Sequence, residues 1–211
     1  MKVSVLPLGT MHTNCLIISD EATNLGAVVD PGGEGCTDLI LNRIAAEGVT
    51  LKYILLTHAH FDHMLSLSEL RQRTGAPLAL HKYDAESILD PNLTYMAQFA
   101  GVTQGEAPAE IELSDGDVLM LGNTKLEVIH LPGHTQGSVI YVADGIIIAG
   151  DVIFRGSIGR CDLYGGDEMV MDDSLKRLIS LPGDYKIYPG HGSTTTLERE
   201  RQQNVYLRRI I

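Results

Sequence analysis

The 211 residues are enough for one domain with a full hydrophobic core or for two closely fused halves. Hydrophobic residues make up 44% and charged residues 20%, which excludes a disordered chain; the net charge of −11 excludes a general nucleic-acid binder, because no basic surplus is left to neutralise phosphates. No apolar run approaches the length of a membrane span, and Met1-Lys2-Val3-Ser4-Val5-Leu6-Pro7 is too brief an alternation for a signal segment, so a cytoplasmic chain is expected.

In chain order, Val3 to Leu8, Asn14 to Ile18 and Gly26 to Asp30 alternate as short strands do, and Pro31-Gly32-Gly33 closes the third. Thr37 can cap a helix through Glu47, with Leu39, Ile40, Ile44 and Ala45 on one face. Tyr53 to Thr57 is an apolar strand of the kind covered on both sides. A helix from Asp62 to Thr74 and a strand from Pro77 to His81 should follow. The stretch 84 to 110 predicts a helix or two ending at Gly101 and then a polar connection. Strands return at Val118 to Met120, Lys125 to His130, Ser138 to Val142 and Ile146 to Ala149. A helix around Met169 to Leu181, a strand Lys186 to Tyr188 and a helix from about Leu197 complete the chain.

No linker rich in Pro or Ser divides residues 1–211, which are expected to form a single domain. Its halves echo one another: Ile54-Leu55-Leu56-Thr57-His58 and Ile187-Tyr188-Pro189-Gly190-His191 each run from an apolar strand to a histidine. This pattern reads as two similar βα halves facing each other, with polar residues gathered where strands end. A doubly wound sheet would need a Gly-rich phosphate turn, which Pro31-Gly32-Gly33-Glu34-Gly35 only weakly imitates. Cys15, Cys36 and Cys161, odd in number and widely spaced, are read as free thiols.

The densest chemistry lies in Thr57-His58-Ala59-His60-Phe61-Asp62-His63. On an extended strand end His58 and His60 point the same way and can grip one metal ion. Asp62 and His63, where the chain turns into a helix, can aim at a second. Four ligands cannot complete two sites of about four to six donors each. Three further strand ends supply more: Pro132-Gly133-His134-Thr135, Gly150-Asp151 and Pro189-Gly190-His191-Gly192. Five histidines and two aspartates result, with Asp151 able to bridge both ions.

These motifs, in this order, together with Val28-Val29-Asp30-Pro31-Gly32, resemble the metallo-β-lactamase superfamily from near Met1 to His191. The resemblance implies an αββα sandwich of α/β class with two divalent metal ions at the sheet edges. His58, His60 and His134 would hold one ion and Asp62, His63 and His191 the other, with Asp151 bridging; Asp62 and Asp151 would be the catalytic carboxylates. Asp30 would orient the ligands, as metal-bound histidines need a partner on their far nitrogen. Zinc is the expected metal, and the same donors accept iron or manganese.

Within the superfamily, Gly150-Asp151-Val152-Ile153-Phe154-Arg155-Gly156-Ser157-Ile158-Gly159-Arg160-Cys161-Asp162 resembles short bacterial members of the glyoxalase II group. Only Gly192 to Ile211 follow His191, where full-length members carry a helical C-terminal domain, and Arg160 and Asp162 stand where these carry a glutathione-contacting lysine and tyrosine. The implied activity is hydrolysis of S-lactoylglutathione or a related acyl thioester by a metal-activated water, with Arg155 and Arg160 steering an anionic substrate. True metallo-β-lactamases lack the bridging aspartate at this point, so antibiotic hydrolysis is not expected. A rival is the single-iron persulfide dioxygenase, similar at Gly159-Arg160 and Asp162, using His58, His134 and Asp151. A ligand-binding module on an inactive scaffold should show gaps in the ligand set, and none of the seven positions is missing. His12, His81 and His130 carry no assignment; Tyr83 and Tyr95 are candidates to line the groove; Arg199, Arg201, Arg208 and Arg209 read as a solvated helix face.

Overall fold

The computed structural model describes residues 1–93 and 105–210. The first half runs β1 (Lys2–Leu8), β2 (Thr13–Ser19), β3 (Leu25–Val29), α1 (Thr37–Ala46), β4 (Thr50–Leu55), α2 (Leu67–Thr74), β5 (Leu78–His81) and β6 (Ile111–Leu113). The second runs β7 (Val118–Leu121), β8 (Thr124–His130), β9 (Val139–Ala143), β10 (Ile146–Gly150), a small hairpin of β11 (Ile153–Phe154) and β12 (Ser157–Ile158), α3 (Glu168–Ile179), β13 (Lys186–Pro189), β14 (Thr195–Thr196), α4 (Leu197–Gln203) and α5 (Val205–Arg208). Two six-stranded sheets result, ordered β1-β2-β3-β4-β5-β6 and β14-β13-β10-β9-β8-β7.

Three cores define the layers. Alternate side chains of one strand leave the sheet in opposite directions, so Ile54 packs outward with Ile40 and Ile44 of α1 and Leu67 and Leu70 of α2. Its neighbour Leu55 packs inward with Val29, Leu126, Val128 and Tyr141, between the sheets. Behind the second sheet, Ile147 and Ile187 meet Met171, Leu175 and Leu178 of α3, Leu197 of α4 and Leu207 of α5. The order is helix, sheet, sheet, helix, and the end of β4, Ile54-Leu55, is apolar and buried because both its faces are covered. Each fully buried leucine or isoleucine contributes about 1.5–3 kcal/mol.

The halves match in topology. β3 and β4 are parallel and joined through α1, as β10 and β13 are parallel and joined through α3. Asp30 and Asp151 therefore follow equivalent strands, and so do His58 and His191. Contacts between the halves hold these strand ends in place: the Tyr141 hydroxyl on β9 donates to the Leu56 carbonyl at 2.7 Å.

Several local expectations are corrected. The helix expected from Asp62 begins only at Leu67; Phe61–His63 form a 3-10 turn, because Ser66 is tied back to Pro31 and Gly33 by its amide and hydroxyl. The strand expected to run to Thr57 ends at Leu55. The expected helix or two up to Gly101 falls largely outside the described residues, and over 85–93 the chain forms turns. β6, β14 and the β11–β12 hairpin were not anticipated, being only two or three residues each. The C-terminal helix is two, broken at Asn204. The arginines here do more than face solvent: Arg201 donates to the carbonyls of Ile179, at the end of α3, and of Leu181 and Gly183 beyond it, and Arg209, just past α5, pairs with Glu168 and Asp172. Cys15, Cys36 and Cys161 are free thiols.

Candidate metal centre

The site begins where β4 stops pairing. Asp30, just past β3, adopts a left-handed backbone (φ 51°), uncommon for a residue with a side chain. Its carboxylate accepts from the Thr57 amide at 2.8 Å and the Thr57 hydroxyl at 2.7 Å, and faces His63 Nδ1 at 3.0 Å. The Thr57 amide thus leaves the sheet ladder for Asp30, and His58 to His63 turn across the sheet edge. On the other side, a side chain at Gly190 would collide with Asp151 and His63, so only glycine lets this loop pass.

The structure brings all seven expected side chains together. Three sets have ligand atoms within 4.8 Å of one another: His58, His60 and His134; His58, His63 and Asp151; and Asp62, His63 and His191. Asp151 lies between the outer two, with Oδ1 3.5 Å from His63 Nε2 and Oδ2 3.5 Å from His134 Nε2 and 3.6 Å from His191 Nε2. His191 Nε2 is 3.2 Å from Asp62 Oδ2.

Far-side partners orient the rings. His134 Nδ1 donates to the Arg160 carbonyl at 2.7 Å and His191 Nδ1 to the Met11 carbonyl at 3.2 Å. A carbonyl can only accept, so the proton sits on Nδ1 and the Nε2 lone pair faces the centre. His63 makes the equivalent contact through Asp30.

The chemistry of this donor set fits a cation. Among the described residues, His58 Nε2, His63 Nε2, His134 Nε2 and Asp151 Oδ1 are buried without a hydrogen-bond partner. Each orphaned polar atom costs about 1–3 kcal/mol, so four converging on one space call for an occupant. Nitrogen and oxygen donors in this mixture suit a divalent ion. Burial and the neighbouring histidines push His60 down to about 3 and His58 well below its ordinary value, keeping both neutral as ligation requires. Burial also works against a charge on His63, but Asp62, Asp151 and Asp30 outweigh it and push it up to about 10. A position that holds a proton so tightly among carboxylates is one that a metal cation would take.

Other residues of the site have no motif to announce them. The Thr13 hydroxyl donates to Asp62 at 2.9 Å, and Asn14 Nδ2 donates to the carbonyls of Pro189 and Gly192 at 3.0 and 2.9 Å, fixing the His191 loop. Asp84, 2% exposed, joins the two loops that carry His58, His60 and His134. Their only advance signal is polarity at strand ends. Arg160 is exposed and pairs bidentately with Asp162 at 2.7 Å; Arg155 is exposed in the β11–β12 turn. Tyr83 borders a cavity beside His60, while Tyr95 lies outside the described residues.

An αββα sandwich with histidines and aspartates clustered at one sheet edge defines a metal-binding fold class. The family model of the metallo-beta-lactamase superfamily matches residues 8–191, and the chain belongs to that superfamily, most members of which are metal-dependent hydrolases. A probable metallo-hydrolase of Bacillus subtilis, YqgX, is 36% identical over 211 residues, with 98% of both chains covered. The hydroxyacylglutathione hydrolase GloC of Haemophilus influenzae is 33% identical over 212 residues, again with 98% of both covered. Among solved structures, BLEG-1, a B3 metallo-beta-lactamase, superposes with a TM-score of 0.90 at 32% identity over 98% of this chain and 99% of that one. TTHA1623, in a di-iron-bound form, gives 0.85 at 34% over 97% and 100%, and ETHE1 from Myxococcus xanthus 0.82 at 27% over 98% and 84%. The clustered side chains and the di-iron relative together support divalent metal use.

Proposed function

We propose that the chain is a dinuclear metal-dependent thioesterase of the glyoxalase II type, acting on S-lactoylglutathione or a related acyl thioester. The observation that carries this reading is the complete seven-residue donor set with its four unpartnered inward atoms. His58, His60 and His134 would hold one ion, Asp62, His63 and His191 the other, and Asp151 would stand between them. Bound there, divalent ions supply Lewis acidity, an activated water at neutral pH and a polarised carbonyl.

The chain's own residues prepare that chemistry. Burial opposes a charge on Asp62, but His63, His191 and the Thr13 hydroxyl hold its carboxyl well below the usual range, so it remains an anionic donor. Asp151 presents Oδ1 to His63 and Oδ2 to both His134 and His191. Cavities flank the centre on both sides: a polar one beside His60, bordered by Tyr83, Glu86, Gln136 and Tyr164, and one of about 260 Å³ beside Asp62, bordered by Leu8, Met11, Phe61 and Leu65. A thioester lying across the centre would place one half in each. The similarity to GloC supports a glutathione-linked, small-molecule substrate.

The test is the double substitution His58→Ala with His60→Ala, assayed for bound metal and for S-lactoylglutathione hydrolysis; the equivalent held by the three histidines and the hydrolysis should both be lost. Hydrolysis that survives the loss of that equivalent would sink the mechanism. The likeness to ETHE1 favours one second reading, a single-iron persulfide dioxygenase using His58, His134 and Asp151, which oxygen consumption on glutathione persulfide would reveal.

A further inference from the structure

Asp84 follows β5, has no part in the donor set, and is nearly inaccessible at 2% exposure. Its carboxylate accepts three hydrogen bonds. Oδ2 accepts from the Ala59 amide at 2.9 Å and from the Thr135 hydroxyl at 2.8 Å, and Oδ1 accepts from the Gly137 amide at 2.7 Å. Ala59 is the residue between His58 and His60, and Thr135 directly follows His134. One side chain from the first half therefore pins both loops that bring these three histidines together. A side chain at Gly137 would run into Asp84, so the loop is shaped around this contact. The other ligand set depends on different partners: Thr13 for Asp62, the Met11 carbonyl for His191, and Asn14 for the His191 loop.

We infer that Asp84 is a positioning residue that sets the affinity of the three-histidine ion site and leaves the Asp62, His63 and His191 site unaffected. The inference rests on the metal-centre reading of the seven side chains. Buried groups that orient ligands from behind are typically worth 10–100-fold in metal affinity; Asp30 touches both Thr57, beside His58, and His63, whereas Asp84 reaches only the loops of the three-histidine site. Asp84→Asn exchanges one accepting oxygen for a donor, so at least one of the three N–H or O–H groups would face a like group. Thr135→Val deletes one of the three donors, whereas Thr135→Ser keeps it.

The experiment is equilibrium competition for zinc between a chromophoric chelator and the full-length, metal-stripped chain. Wild type should bind two equivalents. Asp84→Asn should weaken one of them about 10–100-fold and leave the other at its wild-type affinity. Combined with His191→Ala, which leaves the three-histidine site as the tighter one, Asp84→Asn should still weaken zinc; combined with His60→Ala, it should have no effect. Thr135→Val should weaken the same equivalent and Thr135→Ser should restore it, which carries the test if Asp84→Asn does not fold. Lowered melting temperatures with both zinc affinities unchanged, or equal weakening in the two backgrounds, would overturn the inference. A wild-type chain that takes up no zinc would instead sink the metal-centre reading and the inference with it.

Discussion

At the scale of single residues, the backbone and side chain of one position can serve different ends. Arg160 offers its carbonyl to His134, while its guanidinium is exposed and paired with Asp162. Exposed pairs of this kind contribute only about 0–1 kcal/mol, so the pair can open to an anionic substrate. Arg160→Ala keeps the carbonyl and removes the charge. With a glutathione thioester, KM should rise while kcat stays unchanged, since the residue would bind substrate and transition state alike. A fall in kcat with KM unchanged would contradict this role.

At the scale of elements, aspartates close turns at both ends of the first sheet's strands: Asp30 after β3, where the site lies, and Asp20 after β2, at the opposite end. Asp20 accepts from the Thr23 hydroxyl and amide and from the Thr124 hydroxyl at the start of β8, so it ties the first sheet to the second. The Thr23 and Thr124 bonds lower its carboxyl from 3.8 to about 2. A depressed carboxyl stabilises the fold above its unfolded value and loses that contribution as the pH falls through the folded one. The stability difference between wild type and Asp20→Asn should therefore be full above about 3.8 and gone below about 2. Chemical denaturation of both proteins across this range checks it, and a difference that grows on acidification would contradict it.

Elements also show what the sequence revealed and what it hid. The seven candidate ligands were legible because four fall within six positions and the other three follow Gly, at strand ends. The end of β4 was legible because Ile54 and Leu55 are apolar and covered on both faces. Asp84, Thr13 and Asn14 were not, because each is one polar residue whose partners lie 25 to 178 positions away. The late start of α2 was hidden for a related reason: periodicity through 62–74 cannot show that Asp62 and His63 point into a site. The short strands were missed because two or three residues hold too little alternation to read.

At the scale of the whole molecule, two similar halves meet face to face, and each contributes strand-end ligands to one centre. The first supplies His58, His60, Asp62 and His63, the second His134, Asp151 and His191. The packing of the halves against each other therefore also brings the ligand set together, with bonds such as Tyr141 to Leu56 and Asn14 to Pro189 between them. The proposal that this shared edge holds two divalent ions and hydrolyses thioesters is tested by elemental analysis of the purified protein, run beside a panel of glutathione thioesters with a β-lactam as control. Two metal equivalents per chain are expected, with thioester hydrolysis that stops when a chelator removes them. One equivalent of iron, with oxygen consumed on a persulfide and no thioester cleaved, would contradict it.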